Sequence, residues 1–146
     1  MRLARTSLTL GLILACLFIT ATPAQAGLLD AVPGAKAGYS LRQLDNDYTG
    51  YAIQVRRSSD GATSDIGFVG GQLDTAALST FAAGGDAFVA TWYDQVGSAH
   101  VVQSTADSQP QIVAGGSVLT DPVNGLPALR FSDNNKKLNY ANSWID

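Results

Sequence analysis

A mainly β fold carrying one short helix is predicted for this chain by three observations. Short runs alternate apolar and polar side chains, Gly, Asn, Pro and Ser separate those runs, and a single segment repeats its apolar residues at helical spacing. Short strands punctuated in this way are the pattern of an antiparallel sandwich.

The elements follow in order. Residues 1–26 read as a secretory signal peptide, with Arg2 and Arg5 as the positive start, an uncharged and mostly apolar run over residues 8–20, and Ala24-Gln25-Ala26 as a small-residue cleavage site. Cleavage between Ala26 and Gly27 is expected, which places the chain outside the cytoplasm, extracellular or periplasmic, with no membrane contact afterwards. The run is shorter and more polar than the ~20 apolar residues of a spanning helix. A lipid anchor on Cys16 is disfavoured because Leu17-Phe18-Ile19 continues the apolar run.

Residues 27–38 are small, with a turn at Pro33-Gly34, and read as a flexible lead-in. Residues 39–44 read as a short helical turn, ended by Asp45-Asn46-Asp47. Residues 51–57 alternate as a strand, Ser58-Ser59-Asp60-Gly61 closes it, and residues 65–69 return as its hairpin partner. The helix is expected over residues 74–82, with Asp74-Thr75 at its start, Ala77, Leu78 and Phe81 on one face, and Gly84-Gly85 at its stop. Further strands are expected over 87–93, 111–114, 117–119 and 128–131, the last after the turn Asn124-Gly125.

Cys16 is the only cysteine and lies in the signal, so residues 27–146 have an apolar core as their source of stability and the length of one small domain. All twelve acidic residues are Asp, and two of the nine basic residues precede Gly27. The mature chain is therefore acidic, which argues against nucleic acid or anionic lipid as partner and leaves neutral glycans compatible.

Trp92, Tyr93, Asp94 and Gln95 are the candidate substrate-binding residues, since aromatic faces stack on the C–H faces of sugars and a carboxylate accepts from hydroxyls. The structural reading of the same four is favoured. In a strand Trp92 and Tyr93 take opposite faces, so one ring joins the core, and Asp94 fixes the loop by accepting backbone N–H groups or by pairing with Arg56 or Arg57. Arg57 itself needs a carboxylate, with Asp60, Asp65 and Asp94 as candidates.

Asp45-Asn46-Asp47-Tyr48-Thr49-Gly50 matches the first half of a calcium loop, but Arg56 stands at the twelfth position where a bidentate Glu is required, so turn chemistry is the better account. His100 is the single histidine and reads as a solvated loop residue. With no mature cysteine it makes no zinc site of the usual kind, and Gly-x-Ser-x-Gly and phosphate-binding loops are absent.

Tyr39-Ser40-Leu41-Arg42, Val55-Arg56-Arg57-Ser58-Ser59-Asp60 and Trp92-Tyr93-Asp94-Gln95 fall in one order and spacing that resembles the opening part of the arabinofuranosidase B catalytic domain family. Pro127-Ala128-Leu129-Arg130-Phe131-Ser132-Asp133 is similar to the first strand of concanavalin-like domains. The resemblance implies a secreted hydrolase that removes terminal arabinofuranosyl groups from arabinan or arabinoxylan, built on a concanavalin-like jelly-roll β-sandwich, without a cofactor. The family's Glu nucleophile and Asp acid/base lie downstream of the part that matches, so no residue here inherits a catalytic role. Residues 27–146 are accordingly expected to be an amino-terminal portion of the sandwich, truncated and inactive alone. The alternative is a non-catalytic secreted carbohydrate-binding or adhesion module. Where the family continues Trp-Tyr-Asp-Gln with a Ser-Gly-Asn-Gly type turn, this chain has Val96-Gly97-Ser98-Ala99.

Overall fold

The computed structural model of the chain describes residues 27–140, and the predicted signal peptide, residues 1–26, lies outside the described residues. The mainly β expectation with one helix is met: the described residues form nine strands and one α-helix.

β1 (Ile53–Arg57) buries Ile53 and Val55 and leaves the residues between and after them half-buried, as a period of two requires. It runs antiparallel to β2 (Thr63–Ile66), with Ile53 opposite Ile66 and Arg56 opposite Thr63. The intervening turn is tied by Asp60, whose Oδ1 accepts from the Ala62 N–H at 3.1 Å, and it uses Gly61 at φ 71°. The strand stops at Gly67. The chain turns off as β3 (Phe68–Val69), which pairs with β4 (Gln72–Leu73) in a separate two-stranded ribbon. The expected single strand over 65–69 is thus two short strands in different sheets, because the Gly67 carbonyl accepts from the Asp74 N–H at 3.0 Å instead of extending the ladder.

α1 (Thr75–Ala82) begins where the sequence places it. Asp74 caps it, its Oδ1 accepting from the Ala77 N–H at 2.9 Å. Leu78 and Ala82 are buried against the sheet. The stop falls on Ala83, held at φ 50° in the left-handed region, one residue before the expected glycine pair.

β5 (Ala87–Trp92) is the centre of the sheet. One edge pairs with β1 across a bulge at Gln54/Val55. The other edge is shared, its first half with β7 (Gln111–Ala114) and its second half with β6 (Val101–Val102). β7 turns through Gly115-Gly116 into β8 (Ser117–Val118), and β9 (Asn139–Tyr140) lies outside β6. Every pairing is antiparallel. Residues 128–131 form no strand: Arg130 makes a single bridge to Gln111, both backbone bonds closing at 2.8 and 3.1 Å. One bridged residue in an extended segment is all that this edge of β7 accommodates, since Val113 and Ala114 beyond it are already paired with β8.

Ile53, Val55, Ile66, Leu78, Val89, Ile112 and Val113 make up most of the buried core. Each such side chain stabilises the fold by about 1.5–3 kcal/mol relative to exposure. Leu41, Trp92 and Leu129 pack at its margin, so the Trp92 end of β5 is where core and surface loops meet.

Candidate functional site

Beyond Trp92 the chain leaves the sheet and turns tightly, and the turn is organised by Asp94. Its side chain is 1% exposed. Oδ1 accepts from the N–H groups of Gly38 at 2.8 Å and Val96 at 2.9 Å, and Oδ2 from those of Gly97 at 3.1 Å and Ala99 at 3.2 Å. Burial pushes the carboxyl pKa up, but the four backbone donors overrule it and hold Asp94 below the usual carboxylate range. Neither arginine reaches it. Arg57 pairs with Asp60, its Nε and Nη2 lying 3.1 and 2.7 Å from the two oxygens, and Arg56 donates to Gln109 Oε1 at 2.7 Å. The Arg57 hydrogen bonds hold the exposed Asp60 at a pKa of about 2.

Gln95 works beside Asp94 on the same distant segment. Its Oε1 accepts from the Leu44 N–H at 2.7 Å, and its Nε2 donates to the carbonyls of Ser40 at 3.1 Å and Arg42 at 2.9 Å. Residues 38–44 are therefore held as an irregular extended segment, and the expected helical turn at 39–44 is absent. A helix would have spent on itself the Leu44 N–H and the Ser40 and Arg42 carbonyls that Gln95 uses.

Tyr93 points the other way. Its hydroxyl donates to Asp65 Oδ1 at 2.7 Å, and burial followed by the Asp65 charge drives its pKa well above the usual phenol range. His100 packs edge-on against Tyr93 with ring centres 5.0 Å apart, and its Nδ1 accepts from the Asp94 N–H at 3.1 Å. The expected solvated histidine is instead a half-buried part of the turn, because the loop brings the ring back against Tyr93 and the Asp94 N–H.

Trp92 packs against the core and lines a cavity of about 420 Å³ with Tyr39, Arg42, Asp121 and Phe131. Tyr39 meets Trp92 edge to face at 6.4 Å and donates its hydroxyl to the Ala99 carbonyl. Burial, then the charge of Asp94, raises the Tyr39 pKa. Trp92 Nε1 is the one buried side-chain nitrogen or oxygen among the described residues without a hydrogen-bond partner. Of the four predicted substrate-binding residues, then, Asp94 and Gln95 face inward onto residues 38–44, Tyr93 faces Asp65, and Trp92 alone borders the cavity. Tyr39 and Phe131 at that cavity carry no pattern in the sequence that marks them as its wall.

The cavity offers aromatic rings and a few polar groups, which is a surface a sugar ring can stack on. Asp121 is partly spent on its own turn, its Oδ1 accepting from the Val123 and Asn124 N–H groups. Asp94, the buried carboxylate of the described residues, has both oxygens committed to backbone, so it is not placed as a free acid or base. The Asp45 loop is ordinary turn chemistry, with the Asp47 N–H donating to Asp45 Oδ1 at 2.8 Å. Among the described residues no group of three or more His, Cys, Asp or Glu side chains is arranged to hold a metal ion.

Residues 29–124 match the family described as alpha-L-arabinofuranosidase B, catalytic. Alpha-L-arabinofuranosidase B of Penicillium canescens is 34% identical over 93 residues, which are 62% of this chain and 20% of that protein. A probable alpha-L-arabinofuranosidase B of Aspergillus fumigatus is 35% identical over 98 residues, 65% of this chain and 19% of that one. The chain thus spans about a fifth of the length of these relatives. Among solved structures, an arabinofuranosidase complexed with arabinofuranosyl-alpha-1,2-xylobiose matches at 29% identity and a TM-score of 0.47, covering 53% of this chain and 18% of that one. A glycoside hydrolase family 54 arabinofuranosidase soaked with a cyclic sulfate inhibitor matches at 26% identity and a TM-score of 0.47, over 53% and 19%.

Proposed function

Because the chain belongs to the alpha-L-arabinofuranosidase B catalytic family, we propose that residues 27–146 are the amino-terminal portion of a secreted glycoside hydrolase domain acting on terminal arabinofuranosyl groups of an arabinose-containing polysaccharide. The family match over residues 29–124 carries this reading. Within it, the portion acts as scaffold. Glycoside hydrolysis requires two carboxylates flanking the scissile bond, roughly 5 Å apart when configuration is retained. This chain has twelve Asp and no Glu, and its buried carboxylate is bound by four backbone N–H groups. An Asp so held below its ordinary pKa is a poor proton donor, and its filled lone pairs make it a poor nucleophile.

A second reading, a secreted glycan-binding module without hydrolysis, draws on the cavity walled by Tyr39, Trp92 and Phe131. One experiment separates the two. The exported chain is assayed for aryl release from an aryl arabinofuranoside and, in parallel, for binding to arabinofuranosyl-substituted xylo-oligosaccharides. The scaffold reading expects no turnover above a preparation lacking the chain and no binding. Turnover abolished by one Asp substitution overturns the scaffold role, and saturable binding lost in Trp92→Ala establishes the module instead.

A further inference from the structure

Gly27, the first residue after the predicted cleavage site, is buried, contrary to a flexible lead-in. Its N–H donates to Asp30 Oδ2 at 2.8 Å. The same oxygen accepts from Asn46 Nδ2 at 2.9 Å, so the carboxylate is aimed from a second, distant residue. The segment is seated from the other side as well. The Leu29 N–H donates to the Leu44 carbonyl at 2.8 Å, and the Asp30 N–H to the Gly27 carbonyl at 3.1 Å. Nothing larger than glycine fits: a Cβ on Gly27 would lie 2.2 Å from the Leu44 oxygen and 2.9 Å from Asp45 Cα. A flexible leader has no need of such a seat.

We infer that export processing turns this seat into a charged latch: once the chain is cut before Gly27, the new α-ammonium is bound by the Asp30 carboxylate and locks the amino terminus onto residues 44–46. The inference rests on the secretory part of the proposed function and not on the hydrolase part. The step is ordinary hydrolysis by a signal peptidase. Water adds to the Ala26 carbonyl, the Ala26–Gly27 C–N bond breaks, Ala26 keeps a carboxylate, and the released amine takes up a proton. Before the cut the seat holds a neutral amide N–H. After it, the same nitrogen carries a positive charge beside Asp30, and a charge-assisted hydrogen bond is roughly twice as strong as a neutral one. Because Leu44 is also the residue gripped by Gln95, the latch closes on the segment that the Trp92–Gln95 turn clamps from the opposite side.

The test exports the full chain with its own leader and reads the N-terminus of the product by mass spectrometry. The rate at which 2-pyridinecarboxaldehyde caps the α-amine is then measured in the native parent, in Asp30→Asn, in Gly27→Ala and in the urea-unfolded parent. The reagent forms its stable adduct with an α-amine and the following amide, so Lys36, Lys136 and Lys137 do not interfere. The latch expects a product beginning at Gly27 and slow capping of the native parent. Capping should be faster by roughly tenfold in both variants and after unfolding, the factor that one pH unit of amine protonation represents. A product beginning elsewhere removes the processing premise. A product beginning at Gly27 whose native amine is capped as fast as the unfolded one overturns the latch while leaving the processing intact, and this comparison stands even if neither variant is exported.

Discussion

Asp94→Ala should be the most damaging single substitution of a polar residue in this chain. It removes the acceptor that the N–H groups of Gly38, Val96, Gly97 and Ala99 share. The four do not suffer equally. Val96 and Gly97 are exposed and Ala99 half-buried, so water can replace the carboxylate there, while Gly38 is buried. A buried donor left unpartnered costs about 1–3 kcal/mol. Adding the lost charge-assisted bonds on the outer three brings the expected loss to about 3–5 kcal/mol. Asp94→Asn retains one acceptor oxygen and so at most two of the four bonds, while its amide turns donors toward the other two N–H groups. It should lose at least half as much. The assay is urea denaturation followed by tryptophan fluorescence, with the midpoint read at constant m value. An Asp94→Ala midpoint equal to that of the parent would refute the assignment of Asp94 as the centre of the turn.

The same carboxylate gives acid sensitivity with a definite sign. The folded-state pKa of Asp94 lies below its unfolded value, and so does that of Asp60 at about 2. Their contributions are present above the ordinary carboxylate range, near pH 4, and are lost as pH falls through the lower folded values. Asp94→Asn should therefore flatten the decline of stability as pH falls below about 4. Asp60→Asn should flatten it far less, because that pair is exposed and screened by solvent.

Gln95→Ala should cost about 2–3 kcal/mol, since it orphans the Leu44 N–H and frees two carbonyls of residues 38–44; limited proteolysis should then cut that segment first. Ala83→Gly should stabilise the chain by about 0.5–1 kcal/mol, seen as a higher melting temperature, because a left-handed helix stop at φ 50° suits glycine. Gly116→Ala should destabilise it by about 1–3 kcal/mol in the same measurement. Its φ is 80°, and the new Cβ would lie 2.8 Å from Gly84 Cα in the contact that seats the helix stop against the β7–β8 turn.

What the sequence made legible is what local chemistry decides. The alternation at Ile53 and Val55 specifies a half-buried strand, Asp74 followed by Thr75 specifies a helix start, and Gly115-Gly116 specifies a turn, all without reference to the rest of the chain. The readings that differ from the structure are those in which a distant partner decides. Residues 39–44 have nothing in their own pattern against a helical turn; what excludes it is Gln95, 51 residues from Leu44. Residues 65–69 alternate acceptably as one strand, yet Gly67 gives its carbonyl to the helix start at Asp74 and the ladder breaks there.

The candidate site divides along the same line. Trp92-Tyr93-Asp94-Gln95 stood out as a strand end rich in aromatic and polar groups, and both the sugar-contact and the structural reading were open to those residue types. The choice turns on which groups face the Asp94 oxygens, and those groups are main-chain N–H, which every residue but proline carries and which leave no mark in a sequence. Arginine partners show in a sequence as residues; backbone amides show only as a class. Once four amides converge on one carboxylate, that carboxylate is spent, and the aromatic groups left to face a ligand beside it are those that line the cavity, Tyr39, Trp92 and Phe131. A loss of glycan affinity in Asp94→Ala with no loss of stability is thus an outcome this geometry forbids, and Trp92→Ala is the substitution in which binding can fall while the Asp94 turn survives.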